Sequence, residues 1–299
     1  GLDQCRLLVS GAAPLAPDTL NYFAALHMPV HEVYGMSETT GPITACLPGM
    51  RKTYTSGRVL PGVELAIFPL DESMTVGDTS IDPRTIQSGM EGEICMRGRH
   101  VMVGYKDDEE NSRAAIDGRG WLHSGDIGRL DADGYLTITG RAKELLKTVG
   151  GENIAPLLIE NVVKEELRAV SYAVVIGDRR RFLSILLALR CAHDSHGNPL
   201  PQLDALALQC AREAGSDATT PEEAAACPAF RKYIDDGVRR ANARAISNAQ
   251  QVRKWTLLPR DFGIDSGELT ATLKLKRSVI MRMYADQVEA MYAGTEGGE

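Results

Sequence analysis

The chain has no excess of basic residues. Its 33 Lys and Arg stand against 40 Asp and Glu, for a formal net charge of −7. A nucleic-acid-binding surface is normally basic, so no nucleic-acid partner is expected. No apolar run approaches the roughly 18 residues that a bilayer-spanning helix needs, and no signal peptide is expected from the pattern of these residues. The cysteines Cys5, Cys46, Cys95, Cys191, Cys210 and Cys227 are scattered. They form no Cys-x-x-Cys pair and have no histidine at ligand spacing, so a reducing, cytoplasmic compartment is expected. The last residues, Gly297-Gly298-Glu299, match neither a peroxisomal nor an endoplasmic-reticulum retrieval signal. What remains is an ordinary globular composition, with 43% hydrophobic and 24% charged residues over 299 positions. That length can bury a substantial core and hold two domains.

The pattern of apolar residues predicts an α/β first part. Arg6–Ser10 reads as a buried strand, Pro17 to about His27 as a helix, and Pro29–Val33 as the next strand. Further strands are predicted at Val63–Phe68, Gly92–Arg97 and Tyr135–Thr139, with a turn at Asp131-Ala132-Asp133-Gly134. The stretch from Asp71 to Gly89 is polar and aperiodic and reads as a surface loop. After Arg141 the character changes. Pro156–Arg168 has Ile159, Val162, Val163 and Leu167 at helical spacing, and strands follow at Ala173–Ile176 and Phe182–Leu189. A polar, Ala-rich region from Ala192 to Cys227 reads as a helix-bearing insertion. Long helices are predicted at Pro228–Val252 and Lys276–Met291.

The stretch Val33-Tyr34-Gly35-Met36-Ser37-Glu38-Thr39-Thr40-Gly41-Pro42 carries the most chemistry. It follows a predicted strand, where open α/β sheets bind ligands. Tyr34 offers a ring for a base, Gly35 close backbone approach, Ser37 and Thr39 hydroxyls for phosphate oxygens, and Glu38 a carboxylate for magnesium. The same residues also suit a plain loop-to-helix junction with a helix cap.

Three more motifs follow in order: Gly120-Trp121-Leu122-His123-Ser124-Gly125-Asp126, Gly140-Arg141-Ala142-Lys143 with Gly150-Gly151-Glu152-Asn153, and Leu269-Thr270-Ala271-Thr272-Leu273-Lys274-Leu275-Lys276-Arg277. Together with the Tyr34 stretch they resemble the adenylate-forming, AMP-binding enzymes of the acyl-CoA synthetase superfamily, from about Leu7 to about Tyr284. Ser247-Asn248-Ala249-Gln250, Lys254-Trp255-Thr256-Leu257-Leu258-Pro259-Arg260-Asp261-Phe262 and Leu273–Arg277 narrow the resemblance to the bubblegum-type long-chain fatty acid–CoA ligases. Such enzymes carry a lysine-bearing Ser/Thr/Gly-rich phosphate loop upstream of the Tyr-Gly stretch, and none occurs here. A C-terminal fragment is therefore expected, with 1–140 closing the large AMP-binding domain. The remainder, 141–299, would be the small mobile α+β C-terminal domain, with the inserted region at about 192–252.

The resemblance implies two steps, in which a fatty acid displaces pyrophosphate from ATP and coenzyme A then displaces AMP from the acyl-adenylate. It implies Lys274 as the catalytic cation and Glu38 as the Mg2+ ligand. Gly11, Ala12, Ala13, Tyr34, Gly35, Met36, Ser37, Thr39, Asp126 and Arg141 would hold ATP or AMP, with Asp126 accepting from the ribose hydroxyls. Lys147, Gly150 and Gly151 would serve coenzyme A. Lys276 reads as a solvated surface charge, Trp121 as core, and His123 as structural, with no partner acid evident. Many relatives carry Asp where Gly140 stands, which keeps backbone freedom at the hinge but removes a fixed hydrogen bond. The lipid substrate implies peripheral membrane association, although no amphipathic anchor is evident. Two other readings stay open: another adenylate former (an aryl-CoA ligase or carrier-loading domain), or a non-catalytic nucleotide-binding module.

Overall fold

The computed structural model describes residues 2–11, 15, 17–70, 88–149, 152–195, 197–271 and 273–293. The expected surface loop lies, up to residue 87, outside them. The chain forms two compact units, Gly1–Glu144 and Leu145–Glu299.

In the first unit, β1 (Leu8–Ser10) pairs in parallel with β2 (Val30–Met36) across the helix α1 (Pro17–Ala25). The chain then folds back antiparallel as β3 (Gly41–Ala45), which pairs with β4 (Arg58–Val59). A second, wholly antiparallel sheet has the order β5 (Glu64–Phe68), β6 (Gly92–Arg97), β7 (Leu122–Leu130), β8 (Leu136–Arg141), and helix α2 (Glu109–Ala115) joins β6 to β7. Asp108 caps that helix by accepting from the Asn111 amide at 3.1 Å. One parallel crossover therefore gives this unit its α/β character, and the rest is hairpins. Tyr34, Ile43, Ile67, Ile94, Met96, Leu122 and Leu136, drawn from both sheets, form its core. Trp121 is buried edge-on against Phe68, as its core reading expected.

Strand β2 runs three residues past the sequence expectation and takes in Tyr34, Gly35 and Met36. The reason is the return strand. The register slips between Tyr34↔Thr44 and Gly35↔Pro42, which presses the two backbones together. A Cβ on Gly35 would lie 2.0 Å from the Gly41 carbonyl oxygen, so no larger residue fits. The close approach that this glycine permits is to the protein's own chain. The turn at Asp131–Gly134 forms as expected, with Asp131 accepting from the amides of Asp133 and Tyr135 at 2.9 Å each.

In the second unit, β9 (Leu146–Lys147) pairs with β10 (Asn153–Ile154), and helix α3 (Pro156–Glu166) follows. A three-stranded sheet has the order β11 (Val170–Ile176), β12 (Leu183–Leu189) and the later strand Val252–Leu257, with β12 buried along its whole length. The region expected as an insertion is a packed element. It holds the hairpin of β13 (Cys191–His193) and β14 (Pro199–Leu203), then α4 (Ala205–Glu213), α5 (Pro221–Ala226) and α6 (Pro228–Asn242). Asp204 and Thr220 cap α4 and α5 through the Ala207 and Glu223 amides. Leu203, Ala207, Cys210, Ala211 and Ala224 join the main core with Val163, Leu167, Phe230 and Ile234.

Two predicted helices are shorter than their periodicity implied. Helix α6 stops at Asn242 because that side chain bonds the Val252 backbone twice, Nδ2 to the carbonyl and Oδ1 from the amide, at 2.8 Å each. This starts β15 (Val252–Leu257) where helix was expected. The last helix breaks at Tyr284 into α7 (Arg277–Met283) and α8 (Ala285–Tyr292). The Tyr284 hydroxyl donates 3.1 Å to the buried carboxylate of Glu268, which holds the break in place.

Candidate functional site

The end of β2 leads into a one-turn 3-10 helix, Ser37–Thr39, and Thr40 takes the left-handed conformation at φ 60°. Thr39 is buried at 2% exposure, and its hydroxyl closes the turn. It accepts from the Met36 amide at 3.1 Å and faces the carbonyls of Met36 at 2.9 Å and Gly41 at 2.8 Å. Ser37 stands exposed at the start of the same turn. Between them, Glu38 accepts the Met102 amide on its carbonyl at 2.8 Å and the Tyr105 hydroxyl on Oε1 at 3.0 Å. Burial first, then the Glu38 hydrogen bond and charge, push the Tyr105 phenol above its ordinary range. A half-exposed carboxylate with one oxygen tethered fits Mg2+, which binds through one or two carboxylates and keeps several waters.

Tyr34, Asp126 and Arg141 come from three strands and meet at one point. Asp126 and Arg141 are directly opposed in the β7–β8 ladder, with Arg141 Nε 3.0 Å from Asp126 Oδ1. The Tyr34 hydroxyl donates to Asp126 Oδ2 at 2.8 Å. The Asp126 amide donates to Ser124 Oγ at 3.0 Å, and that hydroxyl donates to the Ile94 carbonyl at 2.6 Å. The Tyr34 ring, at 8% exposure, is part of the core wall. Burial above all, then the Asp126 charge, drive its phenol far above its ordinary value, so it acts only as a neutral donor. The Asp126 side chain is 11% exposed and Arg141 is 56% exposed, so one face of the carboxylate–guanidinium pair meets solvent.

Behind β7 lies a cluster that the sequence did not reveal. His123 faces two acids: its Nδ1 is 3.1 Å from Glu93 Oε2 and its Nε2 is 3.8 Å from Asp117 Oδ2. The absence of a partner acid expected from the sequence is thereby corrected. Cys95 Sγ lies 3.5 Å from the same Nδ1, so a cysteine does meet a histidine in space. Glu93 also accepts the Gly125 amide at 2.6 Å, next to Asp126. The Glu93 hydrogen bond, outweighing burial, raises the His123 pKa above its ordinary value. Glu93, Cys95 and His123 offer ligand atoms within 4.8 Å of one another. Burial, then the Glu93 and Asp117 charges, drive the Cys95 thiol far above its ordinary value. The available signal was Glu93 and Cys95 two apart on β6, a spacing that puts both on one face.

In the second unit, Lys274 is exposed on a closed loop. Leu269 and Leu275 bridge across its base, the Thr270 amide donates to the Lys274 carbonyl at 2.8 Å, and the Lys274 amide donates to Thr270 Oγ1 at 3.0 Å. Lys276 is exposed, and Arg277 turns inward to Glu160. Lys147, exposed on β9, donates its amide to Asp178 Oδ1 at 3.2 Å. Gly11 is exposed just after β1, and a Cβ there would meet Val33 Cγ2 at 2.9 Å. Ala12, Ala13, Gly150 and Gly151 lie outside the described residues.

A family profile described as AMP-binding enzyme matches residues 1–106. The chain is 43% identical over 300 residues to the long-chain-fatty-acid–CoA ligase ACSBG2 of Xenopus laevis, covering 99% of this chain and 38% of that protein. It is 40% identical over 296 residues to ACSBG2 of Gallus gallus, covering 98% of this chain and 37% of that one. The chain thus spans under two-fifths of the length of these relatives. In fold it resembles the adenylation domain of a carboxylate reductase from Mycobacterium chelonae, with a TM-score of 0.70 at 21% identity, covering 95% of this chain and 38% of that one. Over residues 1–106 the chain is thus similar to AMP-binding enzymes, over nearly its whole length to a part of long-chain-fatty-acid–CoA ligases, and in fold to an adenylation domain.

Proposed function

We propose that this chain works as part of an ATP-dependent long-chain fatty acid–CoA ligase, supplying the ribose and metal face of the site and the mobile lysine. In the first step the fatty-acid carboxylate oxygen attacks the α-phosphorus and pyrophosphate leaves. In the second the coenzyme A thiol attacks the acyl carbon, AMP leaves and the thiol proton passes to solvent. The first step brings two anions together, so its barrier falls mainly through charge neutralisation and in-line positioning. Lys274 is the cation for that step, and its exposed ammonium group on a closed loop supports the role.

The observation that carries this reading is the meeting of Tyr34, Asp126 and Arg141. An acceptor-only carboxylate is oriented by a neutral and a charged donor beside the exposed Arg141 guanidinium, and in the proposed role it accepts from the ribose hydroxyls. Ser37, Thr39, Gly35, Met36, Gly11, Ala12 and Ala13 stand for the phosphates and base. Thr39 acts by holding the turn, since its hydroxyl is committed there. Glu38 would hold Mg2+, whose charge would offset that of the phosphates. Lys147, Gly150 and Gly151 stand for coenzyme A. The match to long-chain ligases over nearly the whole chain supports a fatty-acid substrate over an aryl acid. No helix among the described residues is long and apolar enough to cross a membrane, and peripheral attachment remains part of the proposal.

Calorimetric titration with AMP and a palmitoyl-adenylate analogue, with and without magnesium, tests the reading. Binding that is lost in Asp126→Ala supports it. Binding of equal strength in that variant removes the ribose role.

A further inference from the structure

We propose that the buried Glu160–Arg277 ion pair positions Lys274, fixing the loop that carries it in the conformation used for acyl-adenylate formation. This rests on the reading of Lys274 given above.

Glu160 lies in the middle of α3 at 2% exposure, where a carboxylate is costly to bury. Both its oxygens are used. Oε1 accepts the Val175 amide of β11 at 2.8 Å, capping an edge strand. Oε2 receives Arg277 Nη2 at 2.6 Å, with the arginine side chain itself 19% exposed. Arg277 is the first residue of α7 and follows Lys274 by three positions. The other end of the loop is fixed as firmly. Glu268, at 0% exposure, takes Arg260 Nη2 at 2.7 Å and the Tyr284 hydroxyl at 3.1 Å. Its carbonyl accepts the Lys276 amide at 2.8 Å.

Two buried carboxylates thus pin the stem of one short loop to the core of the unit. Between them Leu273 is held at φ 59°, in the left-handed region that leucine rarely adopts. The Lys274 ammonium group makes no ion pair among the described residues. A pinned stem beneath an exposed cation suits a group that must meet an incoming anion without reorganising. A buried ion pair is weak evidence for stability, because an apolar replacement of similar volume often serves as well. What it does supply is a single geometry, here at the base of the candidate catalytic lysine.

The test measures the two half-reactions separately in the full-length enzyme. One is palmitate-dependent ATP–pyrophosphate exchange, and the other is thioester formation from supplied palmitoyl-adenylate. Arg277→Met should lower the kcat of exchange at least tenfold with the KM for ATP within twofold, and leave thioester formation within twofold of the parent. Arg277→Lys should recover much of the loss, and Glu160→Gln should fall between. Amide exchange should quicken at Thr270, Lys274 and Lys276 while β12 stays protected, which separates local loosening from unfolding. An equal loss in both half-reactions, no loss in either, or no recovery with Arg277→Lys overturns the proposal. Lys274→Ala, run in parallel, separates the two readings. If it spares exchange, the role of Lys274 falls, and the positioning proposal with it. If it abolishes exchange while Arg277→Met does not, the positioning proposal alone falls.

Discussion

Tyr34→Phe separates two roles for one side chain. If the tyrosine serves only as an aromatic surface for adenine, phenylalanine keeps that surface and nothing changes. The structure gives it a second task, because its hydroxyl donates 2.8 Å to Asp126 Oδ2 from a position 8% exposed. A hydrogen bond to a charged acceptor contributes about 1.5–3 kcal/mol. Asp126 keeps Arg141 at 3.0 Å on its other oxygen, so the carboxylate is not left alone and the lower end applies. Loss of about 1.5 kcal/mol is expected, equal to a shift in unfolding midpoint of roughly 3–6 °C for a protein of 150–250 residues. Urea unfolding followed by tryptophan fluorescence reads it, since Trp121 lies in the same unit. AMP affinity should weaken threefold to tenfold (about 0.7–1.4 kcal/mol), because Asp126 would lose the orienting donor on Oδ2. Stability within about 0.3 kcal/mol of the parent, with unchanged AMP affinity, would refute the reasoning.

His123 gains its partners only on folding, so its pKa is raised in the native state. The stability it adds is complete below its ordinary value of 6.5 and is lost as pH rises through the folded value. Urea midpoints should therefore fall with rising pH across neutrality, and more steeply than in Glu93→Gln; parallel profiles would refute this. Asn242→Ala removes two bonds to the Val252 backbone and should cost about 1–3 kcal/mol in urea unfolding, since a buried strand end loses its partners. Gly237→Ala would place a Cβ 2.2 Å from Leu167 Cδ2. Overpacking of about 1–3 kcal/mol should outweigh the helix gain of about 1 kcal/mol, and a more stable variant would contradict the packing.

The sequence made the helices and buried strands of the second unit legible where periodicity was clean. Pro156–Glu166 and Leu183–Leu189 fall within a residue or two of expectation. It failed where one side chain overrides periodicity. The apolar spacing of α6 continues past Asn242, but the amide of that residue satisfies a strand start and ends the helix. Strand β3 was not expected, because the Tyr34–Pro42 stretch also suits a loop-to-helix junction, and its pairing with β2 makes it a strand. Tyr34, Asp126 and Arg141 were found through resemblance, but their meeting was not visible, because 92 residues separate the first two. The Glu93–His123 pair was missed for the same reason, being a contact across a ladder rather than along the chain.

Glu93, Asp126, Glu160 and Glu268 are all buried, and each is held by donors from elsewhere in its own unit. Buried carboxylates are poor devices for stability alone, since desolvation offsets most of what their partners return. Their locations follow a pattern. Glu93 binds the Gly125 amide beside Asp126, and Asp126 holds Tyr34 and Arg141. Glu160 and Glu268 bracket the loop of Lys274. Asp261 is the exception, tying Ser171, Cys191 and Phe262, none of them a candidate residue, and it shows that the fold also uses such groups for plain scaffolding. Glu93 and Glu160 each hold a group within three residues of a side chain that would touch nucleotide or substrate. Displacing a candidate group by even 1 Å can cost a hundredfold in rate. On that scale, under the proposed roles, a few kcal/mol of desolvation at these carboxylates would be offset by orientation of the groups beside them.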